Sequence, residues 1–136
     1  MTTLKSCLFD RRGSSAVEFA LAVPVLITMI WGIFQVGLLY QANAGMQHAL
    51  GEGARFATLC VNVTATSCTA PSDADIKSRM SSKLFGRGTG QFTVQDPVSG
   101  TGFKTLRITY TVPMNFLFFP GPTVTLNRSK KAYVVI

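Results

Sequence analysis

Charge is scarce in this chain. Of 136 residues, 13 are Lys or Arg and 6 are Asp or Glu, 14% in all, where soluble domains carry about a quarter. There is one His, so most acid–base enzymes are excluded. No nucleophile–base–orienter set, Gly-rich phosphate loop or metal-ligand spacing is present, and no catalytic residue or cofactor is expected. The length allows one domain at most. The 47% hydrophobic content excludes a disordered polar tail, which needs little apolar content.

The apolar residues are concentrated instead. From Phe19 to Tyr40 the chain runs 22 residues without a charge. As a helix this is roughly 33 Å, enough for a hydrocarbon core of about 30 Å. Pro24 lies inside the run and removes one backbone donor, which membrane helices tolerate, often with a kink. Lys5, Arg11 and Arg12 precede the run, and the next basic residue is Arg55. The positive-inside rule therefore puts residues 1–13 in the cytoplasm and the rest outside. Ala42, Asn43 and Ala44 resemble a small-residue cleavage site, so the alternative is a secreted binding domain released after Ala44. The run is longer than the 7–15 or so apolar residues of most signal peptides, which favours an anchor.

Glu18 stands at the membrane entry, where a carboxylate costs a few kcal/mol unless it is paired or reaches water. Capping the helix N-terminus would explain it alone. Its setting adds to that: residues 11–19 read Arg-Arg-Gly-Ser-Ser-Ala-Val-Glu-Phe, which is Gly, four residues, Glu and an aromatic, between a basic leader and an apolar helix. This arrangement resembles the class III signal of type IV pilin-like proteins in the form used by Flp/Tad pili. Val17 through Leu21 followed by Pro24 resembles the opening of TadE-like pseudopilins, shared with TadF and the start of TadG. TadG-type proteins are usually much longer, so the expectation is TadE or TadF.

The resemblance implies cleavage by a prepilin peptidase between Gly13 and Ser14, with Glu18 fifth and Phe19 sixth in the mature chain. It implies that Glu18 pairs with the N-terminal amine of a neighbouring subunit, offsetting the desolvation of both charges. It implies a minor subunit in the bacterial inner membrane, single-pass with its C-terminus outside, later in the periplasm or in a pilus used for surface adhesion. The implied partners are other Tad pilins and pseudopilins, the prepilin peptidase and the Tad inner-membrane assembly platform. An unprocessed single-pass envelope protein is a further alternative. Nucleic acid is not an expected partner, because the cations are scattered and no nucleic-acid fold signature accompanies them.

Beyond Tyr40 small residues keep helical spacing. Gly45, Ala49, Gly53 and Ala57 form one ridge that lets another backbone approach closely. The expectation is intramolecular packing against a C-terminal sheet, with the helix running from about Ser14 to about Ala57. Gly45, Gly51 and Gly53 at roughly 1 kcal/mol each would otherwise end it early. His48 reads as a helix-surface residue. Cys7 lies in the leader. Cys60 and Cys68 are expected to form a disulfide in an oxidising compartment, with two free thiols as the alternative.

Pro71, Ser72 and Asp73 read as a helix start, followed by a short amphipathic helix to Phe85 with Ile76, Met80 and Leu84 on one face. Asp73 and Asp75 are first-turn residues rather than a calcium site, for want of ligands. From Gln91 the period becomes two. Phe92 and Val94, then Leu106 to Val112, alternate with polar residues, and Val98 to Gly102 reads as the turn between them. Val124 and Leu126 begin a third strand, Asn127 to Lys130 a turn, and Ala132 to Ile136 a fourth strand. Phe116, Leu117, Phe118 and Phe119, closed by the turn residues Pro120 to Pro122, form a candidate partner or membrane-rim patch. The fold class is α+β, pilin-like: a long N-terminal transmembrane helix packed by a small antiparallel sheet. The expected division is leader 1–13, transmembrane helix 14–40, periplasmic continuation 41–58 and extracytoplasmic domain 59–136.

Overall fold

The computed structural model describes residues 11–64, 67–86, 88–117 and 119–134, with backbone alone at 11–14, 62–64, 67 and 68. The leader residues 1–10 and Phe118 lie outside the described residues.

A single helix, α1 (Arg11–Ala57), runs for 47 residues through Pro24 and through Gly45, Gly51 and Gly53. The apolar period outweighs the propensity cost of those glycines because each turn of the C-terminal half has a packing partner. A short hairpin follows, β1 (Asn62–Thr64) with β2 (Ser67–Thr69). Next comes α2 (Asp73–Ser82), shorter than the expected helix to Phe85 because its C-cap falls at Lys83. Ser72 caps it: its hydroxyl accepts from the Asp75 amide at 3.2 Å and donates to the Asp75 carboxylate at 2.6 Å, satisfying one of the orphan donors of the first turn.

The sheet has four antiparallel strands: β3 (Gln91–Val94), β4 (Val98–Gly100), β5 (Phe103–Phe116) and β6 (Phe119–Tyr133). β5 is the central strand. β6 lies along one side of it, and β3 and β4 follow each other along the other. Two expected turns are strand instead. Val98 to Gly100 pairs with Phe103 to Thr105, and the reversal is confined to Thr101 and Gly102, where Gly102 takes φ +76°, a conformation glycine adopts freely. Asn127 to Lys130 lies within β6, which is one strand rather than two. Its polar residues pair across the ladder, and Thr109 Oγ1 donates to Asn127 Oδ1 at 2.8 Å. Polar composition here marks an exposed edge strand, which tolerates Lys and Asn as readily as a turn does. Pro120 to Pro122 is likewise strand, and the chain reverses before it.

The core sits where four elements meet. Ala42, Met46, Ala49, Leu50, Ala54 and Ala57 come from α1, and Ile76 and Met80 from α2. Leu106, Ile108, Tyr110, Val112 and Met114 come from β5, in strict alternation, and Ala132 from β6. The helix's own buried residues all come from its C-terminal half.

Candidate functional site

The residues singled out in the sequence are distributed along α1 as a gradient of contact. At the start, the Gly13–Ser14 bond lies in the first turns of the helix, where the backbone is helical. Glu18 is exposed, and it takes part in none of the three ion pairs found among the described residues, Lys77–Asp96, Arg79–Glu52 and Lys104–Asp73. Phe19 is 70% exposed, and Leu21, Val25, Leu26, Met29 and Ile30 are exposed with it. The most apolar stretch of the helix has no share buried and is long and apolar enough to cross a membrane.

Pro24 leaves the helix continuous. The hydroxyl of Thr28 donates to the Pro24 and Val25 carbonyls, each at 2.8 Å, a back-bonding arrangement that tends to bend helices.

From Thr28 onward the far hairpin reaches α1. The carbonyl of Asn115, at the end of β5, accepts from Trp31 Nε1 at 2.9 Å and from the side-chain amide of Gln35. Phe116 packs at Gly32 and against Phe119, whose ring centroid is 5.1 Å away. An apolar cleft of about 330 Å³ opens between this part of α1 and β5, lined by Trp31, Phe34, Leu38, Val112 and Met114. Leu117 and Phe119 point outward, 53% and 56% exposed. The sequence reading missed this junction. Gln35, the long polar side chain inside an apolar run, was the available signal, because such a group needs a partner there.

The small-residue ridge is fully packed. Gly45, Ala49, Gly53 and Ala57 are all buried. A Cβ at Gly45 would lie 1.8 Å from the backbone oxygen of Phe85, and one at Gly53 would lie 2.3 Å from Met80 Cγ. The ridge therefore faces α2 and the segment after it as much as the sheet. His48 is exposed, with Phe85 edge-on at 5.7 Å. Arg128 Nε donates to Asn43 Oδ1 at 2.7 Å, so β6 meets the helix just beyond Tyr40.

After the helix, Cys60 is exposed and disulfide-bonded. Cys68 sits opposite Val63 in the β1–β2 hairpin, with its side chain outside the described set. Among the described residues no group of three or more His, Cys, Asp or Glu could hold a metal ion.

The family model described as TadE-like protein matches residues 13–55. The match starts at Gly13 and ends two residues before the end of α1, so it covers the helix that carries the resemblance and none of the outer domain. Comparison with the curated proteins and with the solved structures gives no match.

Proposed function

We propose that the chain is a minor pseudopilin of a Tad/Flp pilus, processed between Gly13 and Ser14 and taking part in pilus assembly. The observation that carries this reading is the bare N-terminal half of α1. It presents a continuous apolar surface to its surroundings, with Glu18 at its start, within the segment matched by the TadE-like model. Such a surface is stable in lipid, or against the helices of other subunits in a filament, and not in water.

The proposed steps follow from the residues. Residues 1–13 are the cytoplasmic leader, 14–40 cross the inner membrane, 41–58 continue the helix outside, and 59–136 form the extracytoplasmic domain. Gly13 lies in the first turns of the helix, where fraying is easiest, and its low helix propensity assists local unwinding into a protease cleft. Cleavage removes a leader of net charge +2 and leaves +5 on the mature chain. Glu18, with no ion pair inside the described chain, is free to meet the Ser14 amine of a neighbour, which neutralises two charges as the helix leaves the bilayer. Pairing of Cys60 with Cys68 would close the segment between α1 and α2, adding on the order of 2–3 kcal/mol.

Mass spectrometry of the protein from its native host tests this. A mature N-terminus at Ser14 is expected. An intact leader would leave an unprocessed anchor, and a start at Gly45 a released outer domain; either result sinks the proposal. A Glu18→Ala variant should be cleaved normally and fail to join filaments.

A further inference from the structure

The β5–β6 hairpin carries a second apolar surface at the same level as the membrane segment. No charged residue occurs between Arg107 and Arg128. The nearest cation on the hairpin, Arg128, is bonded to Asn43, three residues beyond Tyr40. From that level both elements descend together without a charge. The hairpin tip then sits at Trp31, Gly32 and Gln35, and the groove it lines with Phe116 and Phe119 continues to Thr28.

Lengths decide where that tip must be. Arg11 to Ile27 of α1 precede the hairpin groove, about 25 Å of helix against a hydrocarbon core of about 30 Å. With the inner boundary anywhere from Arg12 to Glu18, the outer boundary falls roughly between Gly32 and Leu38. The hairpin contacts at Trp31 and Gly32 then lie between the boundary itself and about 10 Å inside the hydrocarbon. Over most of that range, the helix crosses the bilayer with this packing only if the hairpin tip enters with it.

The tip is built for that environment. Pro113, Pro120 and Pro122 have no backbone N–H, which removes three donors that lipid could not satisfy. The carbonyl of Asn115 receives both Trp31 and Gln35. Leu117 and Phe119 are each more than half exposed, where water would penalise them. We infer that the tip of the β5–β6 hairpin, with Leu117 and Phe119 outermost, is inserted into the acyl chains of the outer leaflet alongside α1, so that the outer domain is seated in the membrane rather than held above it.

This inference rests on α1 crossing the membrane, and the experiment separates the two. The full chain, with Cys7→Ser, is reconstituted without reductant in bilayers of phosphatidylethanolamine and phosphatidylglycerol. A nitroxide is attached in turn at Leu117→Cys, Ile27→Cys and Lys130→Cys, and collision with oxygen is compared with collision with a water-soluble nickel chelate. The expected result is that Leu117 behaves like Ile27, favouring oxygen several-fold, while Lys130 favours the chelate. Ile27 in lipid with Leu117 in water would leave α1 spanning and overturn the inserted hairpin. A Leu117 label shielded from both reagents would indicate a protein contact and overturn it equally. Ile27 in water would remove the membrane crossing and the inference with it.

Discussion

Residues 15–30 and residues 42–57 are two equal stretches of one helix. The first is the more hydrophobic, with Phe19, Leu21, Val25, Leu26, Ile27, Met29 and Ile30, and it stands exposed. The second is half Ala and Gly with few large apolar groups, and it supplies the helix's share of the core. Hydrophobicity therefore does not decide which half the outer domain covers. Small side chains do, because they let α2, the Phe85 backbone and β5 approach closely enough to exclude water. The bulky half is left smooth for lipid or for other helices.

The sharpest way to break this contrast is to truncate one large residue in each environment. Ile76→Ala removes a fully buried side chain from the packed end and is expected to lower stability by about 2–5 kcal/mol in denaturant unfolding of the detergent-solubilised chain. Leu21→Ala, in the bare half, should move the same curve by less than about 0.5 kcal/mol. Equal losses would show that the outer domain does not fold on the C-terminal half alone.

A finer test uses two glycines of the same helix. Gly45→Ala places a methyl against a backbone oxygen, so the strain should outweigh the gain in helix propensity and cost about 1–3 kcal/mol. At Gly51 the nearest atom is Lys130 Nζ, 3.9 Å from a built Cβ, and Gly51→Ala should stabilise by about 0.5–1 kcal/mol. The same melting experiment reads both, and a matching sign would remove the close approach at Gly45 as the reason for glycine there. In the same experiment Ser72→Ala should cost about 1 kcal/mol, from loss of the α2 cap.

Much of the fold could be read from local pattern. The uncharged run, the ridge at Gly45, Ala49, Gly53 and Ala57, the Ser72 cap and the alternation from Leu106 to Val112 each depend on periods of 3.6 or two within one element. The errors share a cause. Val98 to Gly100 carries Ser and Gly and Asn127 to Lys130 is polar, and such residues suit both turns and edge strands. What separates the two is a partner strand outside the segment itself, Phe103 to Thr105 in one case and Leu106 to Thr109 across the β5–β6 ladder in the other.

The candidate site divides in the same way. Gly13, Ser14, Glu18 and Phe19 were legible because their spacing from the apolar run is fixed along the chain. The junction of Asn115 with Trp31 and Gln35 was not, because its partners are 84 and 80 residues apart.

By itself, the sequence determined that one helix is long and apolar enough to cross a membrane, that a small α+β unit follows it, and which end carries the cleavage-like signature. These depend on composition and period along a single element. Only the tertiary structure decided that the sheet reaches along α1 as far as Trp31 and Gly32, bringing an uncharged hairpin down beside the apolar run. That depth is set by the length of the β5–β6 ladder and by where Gly45 and Gly53 let the domain dock, and neither is a property of a local stretch of chain.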